Sequence, residues 1–304
     1  MPPWAPRVNL RTSRASPTLG ETAKIGQNVR SSMSNQEHPS PATFGILSDD
    51  PAYNAILAAR IDDTETLARV WIKPDAEPAP FTPGQYVTIG VKVGEKFIQR
   101  PYSIASSARA LDGGYELYLR LVRGGSFTPL AFALPVGHRM RVLAPKGRFT
   151  LAPDDTRTHL FVSSGTGIAP FVSMARTLLD DGTPRRAIYL NGVSYATDLG
   201  YRDLIDGWAA TGTYPATYVP TISRPADPLN AGWSGRTGRV ETIIRSALAD
   251  LHVDAGNAVA YLCGNPDMIV AAEHELASYG LPTEAIHKEL YWPAGKQPTG
   301  SVEG

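Results

Sequence analysis

The chain has 304 residues, 29 Lys and Arg against 29 Asp and Glu, and 42% apolar residues, which suits a soluble globular protein of about two domains. Balanced charge without a basic run excludes a nucleic-acid footprint, and no apolar stretch approaches the roughly 20 residues needed to span a bilayer. Cys263 is the only cysteine, so an intrachain disulfide and any Cys-only metal or iron–sulfur site are excluded, and electrons would have to leave through a separate partner.

Residues 1–43 are rich in Pro, Ser, Asn and Arg and read as a disordered extension. Arg7, Arg11, Arg14, Lys24 and Arg30 against Glu21 give it the charge balance of an organelle-import segment. Its prolines and weak amphipathicity argue instead for a solvated tail on a cytoplasmic protein. Residues 44–153 follow as a first domain, with strand-like runs at 53–61, 67–72, 86–91, 97–103, 115–122 and 139–143 separated by turn residues. Strands at such regular spacing predict a small antiparallel β-barrel. Between the second and third, Pro83-Gly84 fits the centre of a type II turn.

The fourth run ends in Arg100-Pro101-Tyr102-Ser103. Period-two alternation turns Arg100 and Tyr102 to one face, so a guanidinium can meet a diphosphate while a phenol ring covers an attached isoalloxazine. Ser103 points to the other face, toward a ring nitrogen. Alone, the tetrapeptide reads equally well as an ordinary strand.

After residue 154 strands and helices alternate to about 292: strand 158–162 and helix 171–179, strand 186–190 and helix 201–208, strand 217–221, helix 240–249, strand 258–262 and helix 268–279. This pattern predicts an α/β doubly wound parallel sheet. Gly165-Thr166-Gly167-Ile168-Ala169-Pro170 directly follows the first of these strands, with Phe171, Met174, Ala175 and Leu178 at helical spacing beyond it. Thr166 and Gly167 thus lie where a diphosphate would meet a helix N-terminus. The next strand ends Leu190-Asn191-Gly192-Val193 without the acidic residue that takes a ribose 2′-hydroxyl, which leaves room for a 2′-phosphate. Ser223-Arg224 follows a strand and Gly238-Arg239 precedes a helix, so both guanidinium groups can converge on a dianion. Cys263-Gly264-Asn265-Pro266-Asp267 comes at the carboxyl end of a strand, where such sheets bind ligands, and Glu289-Leu290-Tyr291-Trp292 places aromatics before a tail at 293–304.

In this order, Arg-x-Tyr-Ser at Arg100, Gly-x-x-Thr at Gly125, Gly-Thr-Gly-Ile-Ala-Pro at Gly165, Ser-Arg at Ser223, Gly-Arg at Gly238, Cys-Gly-Asn-Pro at Cys263 and Glu-Leu-Tyr-Trp at Glu289 resemble the ferredoxin/flavodoxin–NADP(+) reductase family, bacterial type. The resemblance runs from about residue 53 to 292 and implies a barrel that binds FAD followed by a domain that binds NADP(H). It implies that Arg100 pairs with the FAD diphosphate, Pro101 and Tyr102 flank the flavin, and Ser103 bonds near its N5. Leu121 and Val122 would line the adenosine path, with Gly125, Ser126, Phe127 and Thr128 donating to the diphosphate. For NADP(H) it implies Thr166, Gly167, Ser223, Arg224, Arg239, Cys263, Gly264, Pro266 and Asp267, and catalytic roles for Ser103, Cys263, Glu289 and Trp292. Trp292 would cover the flavin until nicotinamide displaces it. The implied chemistry is hydride exchange between nicotinamide C4 and flavin N5, coupled to a one-electron carrier, ferredoxin or flavodoxin. Lys96, Arg141, Lys146, Arg148 and Lys296 are candidates for meeting an acidic partner.

Two departures stand out. Ser194 occupies a position where the bacterial type carries arginine, with Arg236 a possible substitute, and residues 293–304 continue past the tryptophan that often ends the bacterial type. The same two-domain pattern also occurs in reductase components of multi-component oxygenases, in free-flavin reductases, and in non-catalytic FAD-binding regulatory subunits. The absence of cluster cysteines and the Arg224 and Arg239 pair weigh against the first; Arg100, Tyr102, Cys263 and Trp292 weigh against the last.

Overall fold

The computed structural model describes residues 40–152 and 154–290. The expectations for residues 1–39, for Trp292 and for the tail lie outside these. Residues 40–43, assigned above to the N-terminal extension, are within them, and Pro41–Phe44 forms a 3-10 turn that sets Phe44 against the barrel core.

The first half is a six-stranded antiparallel sheet of β1 (Ala55–Thr64), β2 (Leu67–Pro74), β3 (Tyr86–Val93), β4 (Lys96–Ser103), β5 (Tyr115–Arg120) and β6 (Arg139–Val142). Its order is β4-β3-β6-β1-β2-β5, and an antiparallel bridge between Ile104 and Leu117 brings the two outer strands together and closes the barrel. Alternation does the packing: Val87, Ile89 and Val91 on β3 point inward at 0–1% exposure, joined by Leu57, Ile72, Leu117 and Met140. The Pro83-Gly84 turn forms as expected, with Gln85 N–H donating to Thr82 O and Gly84 at φ 101. The structure departs from the sequence reading past β5. β5 stops at Arg120, because Leu121 N–H turns to Thr66 O and Val122 N–H to the Thr128 hydroxyl. The chain then enters a helix that periodicity had not shown, α1 (Thr128–Ala133), which plugs one barrel end with Phe127, Leu130 and Phe132.

The second half runs β7 (Thr158–Ser164), α2 (Ala169–Asp180), β8 (Ala187–Val193), α3 (Arg202–Thr211), β9 (Ala216–Ile222), β10 (Arg236–Thr237), α4 (Val240–Asp250), β11 (Ala258–Gly264), α5 (Pro266–Tyr279) and β12 (Ile286–Leu290). All pairings are parallel, in the order β10-β9-β8-β7-β11-β12. The chain winds outward from β7 to β10 and restarts on the other side of β7 with β11, so the switch point, where such sheets take ligands, lies between β7 and β11. The sheet is covered on both faces: Phe161, Tyr189 and Tyr261 pack with α2 and α3, Leu160, Val162 and Leu190 with α4 and α5. No described helix is long and apolar enough to cross a membrane.

His159 on β7 is fully buried, stacked between Phe161 and Tyr261 at 5.8 and 5.9 Å, and neither ring nitrogen has a hydrogen-bond partner in the structure. Burial pushes its pKa down to about 4. The folded value lies below that of the unfolded chain, so the unfolded state binds the extra proton first. Stability from this site is complete above about pH 6.5 and falls as pH drops toward 4, by about 3 kcal/mol at most. His159→Phe is expected to flatten this acid limb, which urea unfolding at pH 7 and pH 4.5 would measure; parallel losses in both proteins would assign the limb to other groups.

Candidate functional site

β4 has no fully buried residue, whereas each of the other five barrel strands has at least one. The side chains read as cofactor ligands lie on this half-covered strand. Arg100 reaches out of β4 to the loop before α1, its Nη2 donating to Ser126 Oγ at 2.6 Å and its Nη1 to the Gln99 carbonyl at 2.8 Å. Tyr102 shares its face, 5.9 Å from the Phe127 ring, and burial raises its phenol pKa so that the ring stays neutral. Pro101 between them is exposed, and Ser103 is half-buried in register with Tyr86 of β3.

The residues from Leu121 to Thr128 serve different purposes. Leu121 is partly buried against the barrel core, while Val122 is 55% exposed, an apolar surface facing open space. Gly125 N–H bonds Val122 O, and an added Cβ would approach that oxygen to 3.0 Å and the Thr128 hydroxyl to 3.3 Å. Phe127 is 1% exposed, so its side chain belongs to the core and only its backbone can face a ligand. The Thr128 hydroxyl is occupied by Val122 N–H at 2.9 Å. No side chain caps α1, leaving the N–H groups of its first turn without a side-chain acceptor. A half-buried arginine paired to a serine hydroxyl, uncapped N–H groups and a flat aromatic on a half-covered strand fit a diphosphate carrying an aromatic ring system.

At the switch point the expected cradle forms a 3-10 turn over Gly165–Ile168 that runs into α2. Gly165 has φ +54 with open space where a Cβ would be, and Thr166 is half-buried beside it. Gly167 packs inward. It is buried, and a Cβ there would lie 2.2 Å from the Cys263 carbonyl oxygen, so its missing side chain lets the cradle lie directly on β11. Gly264, at φ +143, is similarly fitted to Ser164, whose hydroxyl accepts from Asn265 N–H at 2.9 Å. Asn265 in turn caps α5 through Asp267 N–H and Met268 N–H, so Pro266 and the exposed Asp267 open the helix with that N–H already satisfied. Ser164 and Asn265 thus tie the ends of β7 and β11 together, a role visible only once the two strands are adjacent.

Cys263 is 1% exposed and stands in parallel register with Glu289 on β12. Burial pushes its thiol pKa well above the usual value, and the Glu289 carboxylate adds to this, so the sulfur is a buried neutral thiol and not a thiolate. Glu289 opens on a cleft of about 500 Å³ between the halves of the molecule, lined by His287 and Lys288 from β12 and by Tyr86, Arg148 and Phe149 from the barrel. Tyr86, on the barrel wall of this cleft, is the register partner of Ser103.

Arg224 and Ser223 are exposed just beyond β9, and the Arg224 Nη1 donates to the Tyr195 hydroxyl at 2.7 Å with its guanidinium 5.4 Å over that ring. Tyr195, which follows β8, was not singled out in the sequence; its signal was position alone. Arg239 occupies the position just before α4, its side chain making no cap bond to the helix, 68% exposed and with Glu241 at 3.9 Å. Arg236, read in the sequence as a substitute for the cation absent at Ser194, is bound to Asp250 at 2.6 Å and to Ser246, toward the far end of α4. The larger cavity of about 580 Å³ beside β9, lined by Trp233 and Arg236, contains none of these switch-point groups.

Comparison with known proteins matches this geometry. Residues 62–151 fit the oxidoreductase FAD-binding domain and residues 161–274 the oxidoreductase NAD-binding domain. The chain is 31% identical over 225 residues to ferredoxin–NADP reductase B of Sorangium cellulosum, covering 72% of this chain and 88% of that protein. It is 30% identical to reductase component 1 of terephthalate 1,2-dioxygenase from a Comamonas species, covering 75% of this chain but only 63% of that protein. Among solved structures, the Amycolatopsis cytochrome P450 reductase GcoB aligns at TM-score 0.67 and 29% identity, over 78% of this chain and 68% of that one. A Neisseria gonorrhoeae ferredoxin NADP+ reductase with bound FAD and NADP shares the fold at TM-score 0.65 and 22% identity, over 78% and 96%. With its closed barrel, its sheet switch point and the cleft between them, this chain belongs to the ferredoxin/flavodoxin–NADP(+) reductase family of FAD- and nicotinamide-nucleotide-binding oxidoreductases.

Proposed function

We propose that the protein exchanges electrons between NADP(H) and a separate one-electron carrier, ferredoxin or flavodoxin. The observation that carries this reading is the cleft of about 500 Å³ in which Glu289, the neighbour of Cys263, faces Tyr86, the register partner of Ser103. Segments far apart in sequence, Tyr86 on one side and Glu289 on the other, supply its two walls, one reading as flavin-binding and the other as nicotinamide-binding.

A bound flavin supplies acceptance of a hydride and release of electrons one at a time. The chain supplies the arrangement. Arg100 and Ser126 hold a diphosphate, with the uncapped first turn of α1 completing the donor set. Tyr102 would cover one ring face, and Ser103 would stand near the ring edge. Half-buried Glu289 lines the cleft, and the neutral Cys263 thiol is packed beneath it on the neighbouring strand. Arg224 and Arg239 select the 2′-phosphate, consistent with the end of β8 lacking a carboxylate for the 2′-hydroxyl. Basic groups near the barrel, such as Lys96 and Arg148, suit an acidic carrier.

A second reading has a specific observation behind it. Dioxygenase and phenol monooxygenase reductase components match at 30% identity, and the chain spans 63–66% of their length. On this reading the electrons go to an oxygenase. Anaerobic titration with NADPH and NADH, followed by assay with separately purified ferredoxin and flavodoxin, separates the two: preferential bleaching by NADPH with fast reduction of either carrier supports the first reading, and NADH preference with inert carriers overturns it. The purified protein is also expected to hold roughly one FAD and no FMN, since the Arg100 and Ser126 pair acts on a diphosphate. Acid release and chromatography test this, and FMN as the main product would refute the assignment of these residues.

A further inference from the structure

The flavin strand β4 runs on into residues 105–109, and the nicotinamide cradle runs on into α2. These two continuations bind each other. On α2 and its C-cap, Ser173, Arg176, Thr177 and Asp181 form one stripe at i, i+3, i+4 and i+8. Ser173 Oγ donates to Ser106 O at 2.7 Å, Arg176 Nη1 to Ala105 O at 2.9 Å, Ala108 N–H to Thr177 Oγ1 at 3.0 Å, and Arg109 pairs with Asp181 at 2.7 Å. At the centre sits Glu116 of β5, 4% exposed. Its backbone takes Ala105 N–H at 2.8 Å and gives its own N–H to Ser106 Oγ at 3.3 Å, while its carboxylate receives Arg176 at 2.6 Å and the Tyr201 hydroxyl at 2.8 Å. One residue therefore holds the end of the flavin strand by its backbone and the nucleotide domain by its side chain. Nearby, a Cβ on Gly200 would lie 2.1 Å from the Tyr118 hydroxyl, so the halves meet at close range here.

We propose that Glu116 is a positioning residue for hydride exchange: through Arg176 and Tyr201 it sets the separation of the flavin strand and the nicotinamide cradle. This rests on the reading that flavin and nicotinamide meet in the cleft. A buried ion pair adds little stability over apolar packing of the same volume, whereas its directional contacts fix distance and angle, which apolar surfaces that slide do not.

The test uses the FAD-loaded full chain carrying Glu116→Ala, Glu116→Gln or Tyr201→Phe, mixed anaerobically with saturating NADPH and C4-deuterated NADPH, with melting temperature and FAD content measured in parallel. Glu116→Ala is expected to retain FAD and to reduce it about tenfold to a hundredfold more slowly at saturation, with an altered isotope effect. Glu116→Gln, whose amide can still accept from Arg176, restores most of the rate, and Tyr201→Phe shows a smaller loss. If Glu116→Ala does not fold, Tyr201→Phe decides, since its ring keeps the edge contact with Tyr118 at 5.0 Å. A lowered melting temperature with unchanged saturating rate and isotope effect would overturn the proposal alone. A wild-type flavin reduced by neither nucleotide would overturn the hydride reading beneath it.

Discussion

Replacing Arg224 by alanine is expected to weaken NADPH far more than NADH. Arg224 is exposed just past the carboxyl end of β9, and Tyr195 holds it in place with one hydrogen bond and its ring face. A guanidinium fixed in this way needs little ordering when a dianion arrives. A charge-assisted contact is worth about 1.5–3 kcal/mol, or roughly 10- to 150-fold in affinity, and solvent screening places an exposed arginine toward the lower end. NADH lacks the phosphate that receives this contact, so its binding should change little. Difference titrations with both nucleotides at one ionic strength would measure the ratio, and equal losses for the two would show that Arg224 is not a 2′-phosphate ligand. Tyr195→Phe should give a smaller loss in the same direction, because it leaves the ring beneath the guanidinium.

Gly167→Ala should damage the nucleotide half while sparing the barrel. The added methyl would lie 2.2 Å from the Cys263 carbonyl oxygen and 2.6 Å from its carbon, backbone atoms of a central strand that cannot rotate away. Either the cradle lifts off β11 or β11 shifts, at about 1–3 kcal/mol or more. For a chain of this size each kcal/mol lowers Tm by roughly 2–4 °C. Nicotinamide-nucleotide affinity should fall and hydride transfer should slow, because the lifted segment is the one that leads into α2, while FAD content should stay near one per chain. Gly165→Ala is the control: it has open space around it, so only the strain of φ +54 opposes it, about 1–2 kcal/mol. An unchanged Tm for Gly167→Ala would mean that the contact with β11 is not tight in solution.

The fold was legible because both halves repeat a simple period. Val87, Ile89 and Val91 alternate as a half-buried strand must, and Phe171, Met174, Ala175 and Leu178 recur as a helix on a sheet must. Elements set by single capping or tertiary contacts were not legible. α1 is six residues long and starts without a side-chain cap, and β12 is five residues anchored by pairing with β11. Among site residues, Arg100, Tyr102 and Cys263 were marked by motifs and order. Arg236 looked equivalent to Arg224 and Arg239 in sequence, yet Asp250 and Ser246 bind it, a partnership made by the return of α4.

By itself, then, the sequence determined what depends on neighbours along the chain: a barrel followed by a doubly wound sheet, the turn at Pro83-Gly84, the positions of the flavin and nucleotide motifs, and the absence of cysteines for a cluster. Only the tertiary structure decided which backbones touch. It assigned Gly167 to contact with Cys263, set Ser164 to hold Asn265, gave Arg224 its Tyr195 support, and placed Glu116 between Arg176 and Tyr201. Such contacts join residues tens to a hundred positions apart, and local periodicity carries no information about them, because each partner's own neighbourhood is satisfied equally well without the other.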